Sequence, residues 1–162
     1  MTVTPRLGVV RAALVLGTIA LAPPAFAADA FAPVHIPVTA ETFRGIDRTA
    51  VDVTEEDGTK AHFEGVALGD VLTAHGVQLG RALRGPALAH YVVVKAADGY
   101  RAVYALPELD RTFNDRVILL ADRRNGAPLD ARAGPFRIVV PGEKHEARWV
   151  RQVTEIYVES AP

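Results

Sequence analysis

The chain contains no cysteine among its 162 residues. That absence excludes disulfides and every mechanism that needs a thiolate, whether as nucleophile or as metal ligand. Serine is almost as scarce: Ser160, beside the C-terminus, is the only one, which leaves a serine triad without a nucleophile in the body of the chain. Charge of one sign is missing too, with 18 Lys+Arg against 19 Asp+Glu and a net charge of −1. No general attraction to nucleic acid follows from such a balance, and any cationic site has to be local. The five histidines, at 35, 62, 75, 90 and 145, form no pair at helical spacing, so no dedicated metal site is expected.

Only one long apolar run is present, at the N-terminus. Arg6 and Arg11 precede or open it, "AALVLGTIALA" spans Ala12 to Ala22, and "AFA" at Ala25 to Ala27 has the small residues of a cleavage site. The run falls short of the about 20 residues a membrane helix needs. We therefore expect residues 1–27 to be a signal peptide and the protein to be exported, periplasmic and soluble once it is removed. Its loss takes two arginines and no acid, moving the net charge from −1 to −3 and leaving 135 residues, enough for one domain with its own core.

The remaining chain reads as a strand-rich α+β domain. Residues 28–49 form an extended lead-in with one short strand at Val34 to Val38, and residues 50–162 carry the domain proper. "TAVDVTEEDGTKAHFEG" alternates on both sides of Asp57-Gly58, a hairpin signal. Leu68, Val71, Leu72 and His75 stand at helical spacing and Gly76 follows as a terminator. "AHYVVVKAA" and "RAVYAL" flank the turn "DGY", predicting a second hairpin, and Pro107 opens a helical turn. "RVILLAD" is apolar enough for a central strand, Asn125-Gly126 marks the next turn, and "GPFRIVVPG" is a bracketed strand. The last strand, "VTEIYVE", alternates with Ile156 and Val158 on one face and Val153 and Tyr157 on the other.

"GEKHEARWVRQV", Gly142 to Val153, holds the only tryptophan, set among Lys144, His145, Arg148 and Arg151. An aromatic face beside guanidinium groups suits a flat polar ligand through stacking and cation–π contact. In an extended chain Trp149 and Arg151 would point to one side and Arg148 to the other. Asp98, in "DGY" with Tyr100, closes its turn and also offers a carboxylate that can accept two parallel hydrogen bonds from a pterin edge. Glu143 and Glu146 compete for that role. Arg123 before the Asn-Gly turn reads as part of a charged loop.

The order of "FEGVALGDVLTAHGV", "VVVKAADGYRAVYALPEL", "VILLADRRNGAPLDARAGPFRIVVPG" and "ARWVRQVTEIYV" resembles the molybdopterin-binding domain of the sulfite oxidase family, above all its small exported single-domain members. The resemblance implies a mostly β sulfite oxidase-type fold with a few short helices and a cleft for a pterin or molybdopterin. It also implies cofactor contact for Arg148 and Trp149, since family members hold the pterin with a basic residue beside a tryptophan after the "RIVVPG" strand. His145 and Arg151 join that pair by proximity. Catalytic members place a molybdenum-ligating cysteine upstream of "FEG", where this chain, over Ala50 to Phe63, has none. The expected cofactor-side set is thus Trp149, Arg148, Arg151, His145, Asp98, Tyr100 and Glu143, with no catalytic residue and no independent metal site. The expected function is non-catalytic capture of a pterin-like heterocycle, reported to a membrane-anchored sensor or enzyme. A molybdenum-dependent oxidoreductase with a non-cysteine ligand, and an interaction domain with a vestigial cleft, remain as alternatives.

Overall fold

Alternation in the sequence becomes two antiparallel sheets that share one core. The computed structural model describes Met1 and residues 31–162, so the expected leader lies outside the described residues apart from Met1. In the first sheet, β1 (Val34–Pro37), β9 (Val153–Ser160), β4 (His90–Ala96) and β5 (Arg101–Ala105) lie side by side in that order. In the second, β2 (Arg48–Thr54), β3 (Lys60–Ala67), β6 (Leu119–Arg124) and β7 (Ala127–Pro128) follow one another, and β8 (Arg137–Val139) also pairs with β6. The lead-in strand is therefore built into the first sheet, paired along β9. The predicted mostly β α+β class is the one observed, with short helical turns between the strands.

Each predicted hairpin forms, and the turn chemistry shows why. Gly58, Gly99 and Gly126 all have φ between 77° and 87°, where a side chain would be strained. Inward residues of β4 and β5, Val92, Val94, Ala102 and Tyr104 among them, are buried together with Phe63, Leu119, Leu120 and Ile138 of the second sheet. The central position of β6 explains its unbroken apolar start, since Leu119, Leu120 and Ala121 are buried as the strand pairs with β3 and β8.

Among the described residues the one α-helix, α1 (Leu68–Ala74), is too short to be stable alone and draws its stability from packing. Leu68, Val71 and Leu72 face the core, and the Leu68 amide donates to the Ile118 carbonyl at 2.9 Å. Gly76, at φ 86°, ends it as its place in the sequence predicts. Among the described residues no helix is long and apolar enough to cross a membrane.

In β9 the structure corrects the predicted register. Val153 is buried with Ile156 and Val158, because Lys95 pairs with Glu155 while Ala96 pairs with Val153, so that Thr154 is an extra residue in β9. Such a bulge reverses the facing of everything beyond it. It also brings the residues just before β9 to the end of β4, where the candidate site lies.

Asp110 is the buried acid that organises the loop after β5. It is 4 % exposed, and its carboxylate accepts from the amides of Gly80 and Thr112 and from the Thr112 hydroxyl. Burial pushes its pKa up, but these hydrogen bonds outweigh it and hold the carboxyl below its ordinary value. A depressed folded-state pKa means the stabilisation is present above the ordinary aspartate pKa and disappears as pH falls through the folded-state value. Asp110→Asn is expected to cost about 1–3 kcal/mol near neutrality. Urea unfolding of both proteins along a pH series checks this: the gap should be widest near pH 7 and shrink below about pH 4. A gap that is constant or grows on acidification contradicts the assignment.

Candidate functional site

The segment after β8 is held from below by two tyrosines. Tyr100, from the β4–β5 turn, donates its hydroxyl to the Ala147 carbonyl at 2.6 Å, and Tyr104 of β5 donates to the Arg148 carbonyl. Burial, the dominant effect, raises the Tyr104 pKa well above the ordinary phenol value, so the hydroxyl stays a donor. Residues Glu146–Arg148 form a single helical turn, and the chain leaves it through Trp149 and Val150 into a bend at Arg151 and Gln152. Consecutive side chains therefore diverge.

One outcome is a cleft of about 370 Å³ at the end of β4. Asp98, Tyr100, Trp149 and Arg151 line it together with Arg132, Glu146 and Gln152. Four of the seven residues nominated from the sequence thus share one cavity. The Asp98 carboxylate accepts the Tyr100 amide through Oδ1 at 2.8 Å and leaves Oδ2 free of partners among the described residues. Arg151 is exposed and has no ion-pair partner among the described residues, so of the two arginines flanking Trp149 it is the one at this cleft.

The other three nominated residues stand apart from this cleft, because ion pairs outside it hold them. Arg148 points to the opposite side, with its guanidinium 4.9 Å from the Tyr104 ring centre, and pairs with Glu108 at 2.9 Å and with Glu143. Burial works against its charge, but the hydrogen bonds to Glu108 and Glu143 prevail and raise its pKa. Glu143 is consumed in that pair. His145 turns outward to Glu56, at 3.1 Å, on the β2–β3 turn. Proximity in sequence groups His145 and Glu143 with Trp149, and the family resemblance groups Arg148 with it; a helical turn does not preserve that proximity in space.

Trp149 itself is 3 % exposed. In place of the open floor that the sequence suggested, it is a buried wall that reaches the cleft. Its ring stands edge-on to Phe63, at 6.2 Å and 86°, and Arg137 lies 5.5 Å from its centre. The indole Nε1 is buried and has no acceptor among the described residues. Such an orphaned donor is uncommon in a folded interior, and a ligand carbonyl or ring nitrogen would satisfy it.

Arg137 is the residue that sequence reasoning missed. Only 4 % exposed, it sits 5.2 Å from the Phe63 ring centre and pairs with Glu146 at 3.2 Å and with Glu55 at 3.8 Å. Glu55 also holds Arg124 at 2.5 Å. Burial lowers the Arg137 pKa and Arg151 adds to this, while Glu146 and Glu55 oppose it. The available signal was a single charge inside the apolar run "FRIVVP", where an unpaired arginine has no place.

Residues 38–162 match the family model described as Oxidoreductase molybdopterin binding domain. No curated protein matches the sequence.

Proposed function

The chain belongs to the oxidoreductase molybdopterin binding domain family, and on that premise we propose that it is an exported, non-catalytic pterin-binding protein that reports ligand occupancy to a membrane-anchored partner. The observation that carries this reading is the convergence of Asp98, Tyr100, Arg151 and Trp149, from two distant stretches of chain, on one cleft. Its size falls in the range of about 300–1,000 Å³ common for small-molecule sites. A pterin presents a 2-amino group and a ring N–H on one edge and acceptors on the other. The Asp98 carboxylate matches the first, and the Arg151 guanidinium and the Trp149 indole N–H match the second.

The metal half of the family's cofactor fits this chain poorly. Between Ala50 and Phe63, where the resemblance locates the thiolate of catalytic members, the acids next to the hairpin turn are Glu55 and Glu56. Glu55 is shared between Arg124 and Arg137, and Glu56 holds His145 and the Glu146 amide. Hard carboxylates already committed to cations are poor substitutes for a soft thiolate. Among the described residues no three His, Cys, Asp or Glu side chains gather as a metal site. Binding of the pterin moiety is what this chain's own residues support.

Trp149 is the only tryptophan, so its fluorescence reports on the cleft directly. Titration with neopterin should quench it saturably. Asp98→Asn keeps the oxygen that accepts the Tyr100 amide but loses the paired carboxylate, and it should weaken binding about tenfold, the equivalent of one charge-assisted hydrogen bond. Folded protein that shows no saturable change with neopterin or its reduced forms up to about 1 mM would rule the reading out. Stoichiometric molybdenum in protein isolated from its native compartment would instead favour an oxidoreductase with a non-cysteine ligand.

A further inference from the structure

A separate cleft of about 420 Å³ lies at the opposite end of β4 from the candidate site. Ala96 lines the one and His90 the other, so about 20 Å of strand lies between them. Val77, His90 and Leu106 are the buried part of the lining, and Phe31, Val34 and Ala87 are half-buried. No Asp, Glu, Lys or Arg lines this cleft. A charged guest would therefore lose hydration without gaining an ion-pair partner.

His90 is the one polar side chain that this lining buries. It is 7 % exposed, and its ring centre lies 4.0 Å from that of Phe31 with the planes tilted by 34°. Three of the other histidines are anchored through Nδ1: His62 on Asp52, His75 on the Val71 carbonyl and His145 on Glu56. The His90 amide donates to the Ala87 carbonyl, but its ring has no hydrogen-bond partner among the described residues. Buried polar groups are normally paired, and the neighbours here offer almost only carbon. A neutral imidazole keeps one acceptor nitrogen, which a guest hydroxyl would satisfy.

We propose that this cleft binds a small uncharged phenol, whose hydroxyl donates a hydrogen bond to a ring nitrogen of His90 and whose ring packs among Phe31, Val34, Val77 and Leu106. The preference for a flat ring comes from Phe31, which already packs on the imidazole and presents an aromatic surface to the guest. The volume falls within the range of about 300–1,000 Å³ common for small-molecule sites. The site shares no lining residue with the cleft beside Trp149, so it stands independently of the pterin reading.

Titrations of the isotope-labelled protein with para-ethylphenol, ethylbenzene and para-ethylbenzoate, followed by amide and methyl NMR shifts, test this. Para-ethylphenol should bind with a Kd on the order of 1 mM or lower, with shifts centred on Phe31, Val77, Ala87, His90 and Leu106. Ethylbenzene, which lacks only the hydroxyl, should bind about three- to tenfold more weakly, the effect of one neutral hydrogen bond. Para-ethylbenzoate should bind more weakly still. His90→Phe keeps a ring against Phe31 but has no nitrogen, and it should bring the phenol-to-ethylbenzene ratio to near one. The ratio in the unaltered protein and Ala87→Leu, which should narrow the cleft and weaken both compounds, cover the case in which His90→Phe fails to fold. Equal binding of phenol and ethylbenzene, a ratio that survives His90→Phe, tighter binding of the benzoate, or no shifts at these residues overturns the proposal. Shifts there that grow with protein concentration alone would make a second copy the occupant, and nuclear Overhauser contacts to Val77 and Leu106 from the chain before Phe31 would make that segment the occupant; either overturns it as well.

Discussion

Replacing Arg137 by methionine should destabilise the protein by about 3 kcal/mol or more, the usual consequence of removing one partner from a buried ion pair. Methionine is close in length and apolar, so packing against Phe63 and Trp149 is largely retained and the loss is electrostatic. Glu146 and Glu55, with side chains 17 % and 13 % exposed, would keep their charges and lose their shared cation. For a domain of this size the melting temperature should fall on the order of 10 °C. Adding Glu146→Gln to Arg137→Met should recover a substantial part of the loss, because Glu55 keeps Arg124 as its partner and no carboxylate of the cluster is then left without a cation. Urea unfolding followed by far-UV circular dichroism reads both. A loss below about 1 kcal/mol, or a combined variant no better than the single one, would show that the Glu55–Arg137–Glu146 cluster carries little of the stability of this layer.

Gly65→Ala should be at least as damaging, for a steric reason. A β-carbon at Gly65 would fall on the carbonyl oxygen of Leu120 and within 2.7 Å of the Ala121 Cα, both of them backbone and unable to rotate away. Here the β3–β6 pairing shifts register, with Glu64 opposite Arg123 and Gly65 opposite Ala121, and the bulge lets the two backbones approach. Separating them costs about 3 kcal/mol or more, the upper end of the usual overpacking penalty. Gly58→Ala provides the contrast: its φ of 86° strains a side chain, but nothing lies within 4 Å, so about 1 kcal/mol is expected. Equal losses at the two positions in denaturant unfolding would mean that backbone conformation, and not contact with β6, governs Gly65.

The hairpins were readable because their causes are local. Asp57-Gly58, Asp98-Gly99 and Asn125-Gly126 impose turns whatever surrounds them, and the flanking alternation needs only one buried face. The facing of Val153 was not readable, since the extra residue at Thr154 is imposed by pairing with Lys95 and Ala96, nearly 60 positions away. The site divides along the same line. Trp149 and Arg151 stood out as an aromatic and a cation in one short run, and Asp98 and Tyr100 as a turn with usable polar groups. Arg132 lay in an unremarked loop, and only the Gln152 hydrogen bonds to Ala131 and Ala133 bring that loop to the cleft.

By itself, then, the sequence determined the strand-rich class, the places of the turns, the family resemblance and the loss of any thiolate ligand, all of which depend on residue type and short spacing. The tertiary structure alone decided that Trp149 is a buried wall, that Arg148, His145 and Glu143 are taken up in ion pairs outside the cleft, and that Arg137 is the cation beneath the site. The physical reason is that charge pairing and burial are settled by neighbours across sheets. The glutamates that claim Arg148 and Arg137, at 108 and 55, are 40 and more residues away in the chain.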